Sequence, residues 1–263
     1  MKKLLFLFST LTLMLTSCSN DDNSSSQERS ILPKTIAYRY PSVFLGTNST
    51  STLTYDGNKI LSSIAEDSKI FFTYDGNTIT KQEKFDVDSN GKESKNIELT
   101  YSYENGKLKT RVTRRSFSTK YPNGETIGKT VYTHSSDDLI SYIDYSVNPD
   151  TKIETKISEG SLMYKNGNLI QFKSVRGSAV SAIVQEFDNK NNPLKNILGF
   201  DLLLNETEFS NNNVLKITRT DSEFPNPTVY LANYIYNDKN YPIKYTSFAG
   251  DGKSIEYEIE YTY

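Results

Sequence analysis

The chain's single histidine, His134, stands in Tyr132-Thr133-His134-Ser135-Ser136-Asp137-Asp138, where Ser, His and Asp are the residue types of a hydrolase triad. A triad draws its members from separate elements, and its serine usually tops a Gly-x-Ser-x-Gly elbow. Neither condition holds, so this segment reads as a turn. One histidine and one cysteine also supply too few soft ligands for zinc. Asp86-Val87-Asp88-Ser89-Asn90-Gly91 opens like a calcium loop, with Asp86, Asp88 and Asn90 offering oxygen at alternate positions before a glycine. Ile97 occupies the place of the bidentate glutamate. The three residues are thus an incomplete calcium candidate, and a β-turn explains them as well. Glu256, Glu258 and Glu260 lie on one face of a strand, each about 7 Å from the next, a spacing that serves acid-base catalysis in glycosidases. Their alternation with Tyr257, Ile259 and Tyr261 instead fits a solvated strand face. Arg111, Arg114, Arg115 and Lys120 form a basic cluster that suits an anionic surface such as lipopolysaccharide, or simply a solvated strand and loop. No catalytic residue, metal site or cofactor site follows from these patterns.

Cys18 carries the clearest chemistry. Lys2 and Lys3 precede an apolar run from Leu4 to Leu15, and Leu15-Thr16-Ser17-Cys18 has the form of a bacterial lipobox. The run is too short for a spanning helix, which needs about 20 apolar residues. Residues 1–17 therefore read as a lipoprotein signal peptide, with Cys18 as the lipidated N-terminus. Each buried acyl methylene contributes about 0.8 kcal/mol, so two or three chains (palmitate among them) would anchor the protein stably. Cys18 is the only cysteine, so lipidation leaves no disulfide and no thiol nucleophile. Residues 18–33 read as a flexible tether, because Ser19 to Ser30 contains no aliphatic or aromatic side chain to bury.

The elements that follow are built on a repeat. Tyr55 precedes Ile60 by five positions, as Tyr74 does Ile79, Tyr103 does Leu108, Tyr164 does Leu169 and Phe209 does Val214. Between the members of each pair lie four residues rich in Gly, Asn and Asp. Asn105-Gly106 and Asn166-Gly167 suit type I′ loops, where both central residues need positive φ; Gly57 and Gly76 at the first position suit type II′. A longer form spans Phe187 to Leu194 and Tyr236 to Ile243, and Tyr132 to Leu139 is a degenerate copy. A three-residue loop at Gly250-Asp251-Gly252 would pair Tyr245 with Tyr257, Ile243 with Ile259 and Lys244 with Glu258. The chain therefore reads as all-β, a long antiparallel meander of 14 to 18 strands with one polar and one tyrosine-aliphatic face. Residues 34–263 form a single repeat-built β domain that curls into a barrel-like or porin-like sheet, a two-layer sandwich being the other way to cover that face. Lys195 to Leu204 breaks the alternation; it fits a short helix or a loop capping one end of the curled sheet, and a lid over a ligand is its functional reading.

The turns resemble those of the YD repeats in Rhs-type proteins, although the Gly-Arg that usually follows is absent. Asp188-Asn189-Lys190-Asn191-Asn192-Pro193 and Asn237-Asp238-Lys239-Asn240-Tyr241-Pro242 resemble hairpins of Bacteroidetes envelope lipoproteins, whose acidic export signal Asp21-Asp22 also resembles. That resemblance implies the outer membrane or cell surface as the setting, and a barrel-like shape, without an activity. A formal charge of −2 makes nucleic acid an unsuitable partner. The expectation is a lipid-anchored outer-membrane protein with a non-catalytic, ligand-binding or envelope-structural domain, its partners being the membrane at Cys18 and an envelope glycan, lipid or protein. An integral barrel is the alternative, suggested by the alternation of Tyr257, Ile259, Tyr261 and Tyr263. A mean hydropathy of −0.57 is low for a barrel facing lipid. An envelope enzyme with an unrecognised site is the third reading.

Overall fold

The structure, a computed structural model, describes residues 30–206 and 210–263. Cys18, the signal segment 1–17 and the tether up to residue 29 lie outside them. The first strands are β1 (Thr35–Arg39), β2 (Ser49–Asp56), β3 (Lys59–Ile64), β4 (Ser68–Asp75), β5 (Thr78–Val87) and β6 (Glu93–Glu104). β7 (Lys107–Arg115), β8 (Thr126–His134), β9 (Leu139–Val147), β10 (Glu154–Lys165) and β11 (Asn168–Arg176) follow. The last are β12 (Ala179–Phe187), β13 (Val214–Asp221), β14 (Phe224–Tyr236), β15 (Pro242–Phe248) and β16 (Ile255–Thr262). Each strand pairs antiparallel with its sequence neighbours, and β1 pairs with β16. The sixteen-strand meander is thus a closed barrel rather than a sandwich.

Four repeats take the register their turns require. Tyr55 faces Ile60, Tyr74 faces Ile79, Tyr103 faces Leu108 and Tyr164 faces Leu169. Asn105 and Gly106 have φ of 53° and 75°, and Asn166 and Gly167 have 54° and 73°, the paired positive values of a type I′ loop. Gly57 and Gly76 alone are positive in their loops, as type II′ asks. One further device was not legible in the residues. Each of these hairpins carries a bulge two or three positions from its turn, with Leu61, Thr80, Lys109 and Ile170 as the extra residues. The hairpins β12–β13 and β14–β15 repeat it, at Leu215 and Ile243. A bulge sharpens the local twist, so its recurrence around the sheet promotes closure.

The remaining hairpins correct the sequence-based pairing. Val214 faces Phe187 rather than Phe209, because residues 188–213 form one long connection; Phe209 lies outside the described residues. Tyr236 faces Pro242, since the bulge displaces Ile243. Tyr132 faces Tyr142, across a turn that ends before Leu139. The last hairpin is shifted by two residues, with Tyr245 opposite Ile259 and Lys244 opposite Glu260. Its loop is longer because the Asp251 carboxylate accepts the backbone N–H groups of Lys253 and Ser254. A shift of two keeps every side chain on its face.

All the repeat turns lie at one end of the barrel, and the connection between β12 and β13 closes that end. Leu198 N–H donates to the Asn58 carbonyl at 2.9 Å, Asn211 N–H to Gly167 at 3.3 Å and Asn191 N–H to Asn240 at 3.0 Å, tying the connection to three turns. Its 3₁₀ turn Asp201–Glu206 carries Leu203, fully buried, and follows Ile197 and Phe200 into a cluster with Ile60, Ile79, Leu108 and Leu162. The apolar segment read as a cap is therefore a plug. Tyr74 donates to the Leu198 carbonyl at 3.0 Å, and its burial pushes its phenol up to about 12. Ser30 to Pro33, the end of the tether interval, also lies here: Ser30 accepts from Asn58, Ile31 from Asn196 and Pro33 from Tyr55.

Because the plug packs on the tyrosine-aliphatic face, that face lines the lumen and the polar face points outward. Lys81, Glu83 and Phe85 of β5 thus face out, beside Lys95 and Glu98 of β6 and Arg114 of β7. Glu83 bridges Lys81 at 2.8 Å and Lys95 at 2.7 Å; Lys95 also meets Glu98, which Arg114 reaches at 3.2 Å. Hydrogen bonds from Lys81 and Lys95 hold the Glu83 carboxyl below its ordinary value of 4.5. A depressed folded value means that the stabilisation is complete above the unfolded carboxyl's range and is lost as pH falls through the folded value. Glu83→Gln is accordingly expected to cost about 0.5–1 kcal/mol at pH 7, read from urea unfolding midpoints, and the difference from the parent should vanish in acid.

Candidate binding lumen

The plug fills only one end and one side of the lumen. Strands β14, β15, β16 and β1 place tyrosines at their inward positions, and these surround a cavity of about 360 Å³. Tyr38, Tyr230, Tyr234, Tyr245, Tyr257 and Tyr261 line it, with Ile36, Ile217 and Ile259 between them. The rings form a continuous series along the wall. Tyr40, just past β1, lies 5.8 Å from Tyr257, which lies 5.8 Å from Tyr245; Tyr245 lies 5.1 Å from Tyr234, and Tyr234 lies 5.8 Å from Tyr236. Period-two alternation on four adjacent strands produces this row, since opposed inward positions fall beside one another.

The base of the cavity comes from the connection: Asn192, Pro193, Leu194, Ser210 and Asn213. Asp188 organises it. One carboxylate oxygen accepts the backbone N–H of Lys190 at 2.9 Å and of Asn213 at 3.0 Å; the other accepts Asn213 Nδ2 at 3.1 Å and the Tyr236 hydroxyl. Burial, and then this carboxylate, push the Tyr236 phenol up. Asn213 Nδ2 also donates to the Asn191 carbonyl at 3.1 Å, so the amide orientation is set. Asn213 is 1% exposed, and its Oδ1 has no hydrogen-bond partner among the described residues.

On the opposite wall Thr130, buried between Arg111 and Asp144, accepts from Arg111 at 2.7 Å and donates to Asp144 at 2.6 Å, while Ser158 donates to the other Asp144 oxygen at 2.8 Å. This inward charged network escaped the sequence, because its members lie on three successive strands and β10. A second, more open depression lies on the outer face among Glu98, Arg114, Lys129 and Glu154; Lys129 pairs with Glu154 at 2.8 Å.

The candidates singled out by residue type do not converge. Arg111 faces inward and Arg114 outward, Arg115 follows at the end of β7 and Lys120 lies over Tyr121 in the next loop, so alternation splits the basic cluster. His134 ends β8, with Nε2 2.8 Å from the Leu108 carbonyl. Asp88 Oδ1 accepts the N–H groups of Asn90 and Lys92, and Asp86 accepts from Asn96; no group of three His, Cys, Asp or Glu able to hold a metal occurs among the described residues. Glu258 pairs with Lys244 at 2.8 Å and Glu260 with Arg39 at 3.3 Å on the outer face, while Glu256 accepts from Ser247.

The barrel has a counterpart among solved structures. A porin-like protein from Bacteroides vulgatus superposes with a TM-score of 0.61 over 89% of this chain and 99% of its own, at 14% identity. The fold is porin-like. A porin-like protein from Bacteroides uniformis matches with a TM-score of 0.49 at 10% identity, over 88% of this chain and 97% of its own. No protein-family model and no curated protein matches the sequence. A porin-like fold is consistent with the outer membrane; at these identities it speaks for architecture alone.

Proposed function

We propose that this chain is an outer-membrane-associated binding protein, held by lipid on Cys18, whose lumen receives a ligand without catalysing a reaction. The tyrosine-lined cavity is the observation that carries this reading: it is concave, mostly aromatic and aliphatic, and furnished with a few amide and hydroxyl groups, as ligand pockets are. Among the described residues of its wall no nucleophile stands beside a base.

The integral barrel is the second reading, and the porin-like fold is what favours it. Against it, the outer face carries ion pairs around the circumference, with Lys216 and Glu186 at 2.7 Å adding to those on β5 to β8 and β15 to β1. Phe71, Val184 and Ile235 are outward apolar side chains, but they stand among these charges. A Lys or Arg at the bilayer midplane costs about 2–4 kcal/mol. The plug also occupies one end of the described barrel, so transport through that end would require its displacement.

Metabolic labelling with a palmitate analogue, followed by carbonate washing of membranes, tests the proposal. The parent chain is expected to carry label and stay with the membrane, whereas Cys18→Ser should lose the label and become soluble. A Cys18→Ser chain that resists carbonate and shows heat-modifiable mobility in gels would establish the integral barrel instead.

A further inference from the structure

Resting on the binding-protein reading, we infer that the lumen binds a neutral, linear carbohydrate along the tyrosine row, with a ligand hydroxyl donating to Asn213 Oδ1 at the base. Three observations converge. The first is shape: the rings of Tyr257, Tyr245 and Tyr234 line the cavity in series, and the series continues beyond the lining to Tyr40 on one side and to Tyr236, which reaches Asp188, on the other, with successive centroids 5.1 to 5.8 Å apart. A row of this kind matches an extended chain of repeating units better than one round ligand. Aromatic side chains with a hydroxyl at the rim meet a pyranose on both its chemistries, C–H faces on the ring and hydroxyls on the phenol.

The second is charge. The Asp188 carboxylate behind the base is taken up by Lys190, Asn213 and Tyr236. Lys216, at the cavity's margin, pairs with Glu186 at 2.7 Å. Lys216 is the one charged side chain among the described residues that line the cavity, so that lining offers no free charge to a phosphate, a sulfate or a fatty-acid carboxylate.

The third is the buried acceptor. Asn213 is 1% exposed and lines the cavity, its Nδ2 is committed to Asp188 and Asn191, and its Oδ1 lacks a partner. An alkyl chain laid over it leaves that oxygen as unsatisfied as before and gains nothing from it. A hydroxylated ligand supplies the donor. The cavity, at about 360 Å³, falls within the usual range for small-molecule sites, about 300–1,000 Å³.

The test uses the full, lipidated chain in phospholipid nanodiscs and isothermal titration with three probes: a series of neutral linear gluco-oligosaccharides, a sialylated oligosaccharide and palmitate. Neutral oligosaccharides are expected to bind, more tightly as length increases until the row is spanned. Tyr245→Ala should weaken that binding about tenfold, while Tyr245→Phe, which keeps the ring, should change it little. Ala232→Phe, which adds a ring inside the cavity from an inward position, should abolish binding while thermal unfolding stays cooperative; it guards against reading a folding defect in Tyr245→Ala as lost contact. Preference for palmitate or for the sialylated probe overturns the neutral-carbohydrate assignment and leaves a binding lumen standing, whereas neutral binding indifferent to both Tyr245→Ala and Ala232→Phe puts the sugar outside the cavity and overturns the lumen as its site. No binding of any probe to a cooperatively folding chain overturns the carbohydrate assignment, while carbonate resistance of Cys18→Ser overturns the tethered reading beneath it.

Discussion

Gly160→Val is expected to destabilise the barrel by about 3 kcal/mol or more, a large part of the roughly 5–15 kcal/mol that separates folded from unfolded domains. Gly160 stands at an inward position of β10 opposite Tyr142 on β9 and Ser174 on β11. A Cβ there would overlap the Lys173 carbonyl oxygen and lie 2.5 Å from the Tyr142 hydroxyl oxygen and 2.7 Å from its ring. Tyr142 is itself held: it stacks on Phe172 at 5.7 Å with ring planes 17° apart, and donates to the Lys173 carbonyl at 3.2 Å. Glycine thus makes room for a buried tyrosine that bridges two strands, and a branched side chain must displace both that ring and the backbone beyond it. A double-mutant cycle with Tyr142→Ala separates the parts. Removing the ring should relieve some of the penalty, while the clash with Lys173 remains. Equal urea midpoints for Gly160→Val and the parent would show that β10 and β11 can shift freely.

Asp188→Ala should cost roughly 3 kcal/mol and loosen the plug selectively. The substitution leaves the part-buried N–H groups of Lys190 and Asn213, one of the two Nδ2–H groups of Asn213 and the Tyr236 hydroxyl without their acceptor, and donors unpaired away from water cost more than the bond itself contributed. Asp188→Asn should recover little, because it replaces one of the two acceptor oxygens with a donor facing donors. Limited proteolysis is the discriminating measurement: cleavage within residues 194–206 should accelerate well before the barrel unfolds. A variant cut no faster there would mean that the apolar contacts of Leu203 and Phe200 hold the plug by themselves.

How much of this was legible beforehand depended on the range over which each residue acts. Asn105-Gly106 and Asn166-Gly167 determine their hairpins locally, through two φ values, and Tyr103 with Leu108 follows from them at once. The division into a tyrosine face and a polar face likewise needs only period two. Val214 escaped its expected hairpin because the turn-like Asn211-Asn212 belongs to a long connection whose partners, Gly167 and Lys190, lie far off in the chain or beyond the loop. The last hairpin failed by two residues because Asp251 organises a wider loop than Gly250 and Gly252 suggest. The cavity was out of reach for a different reason. Tyr38 joins the row of Tyr234, Tyr245 and Tyr257 only once β1 meets β16, and no local pattern says where a sheet closes.

That closing pair has a consequence for how the chain folds. Thr35 to Arg39 must find Glu258 to Thr262, so the strand that seals the barrel is the last of the sixteen to leave the ribosome. Until then β1 and the newest strand are both open edges, each with unpaired N–H and C=O groups able to recruit a second chain. The hairpins can form early and independently, within microseconds each, but their union waits on contacts between distant parts of the chain, the slow class of folding event. Nascent barrels are therefore most exposed to misassembly just before completion, when both edges are still unpaired.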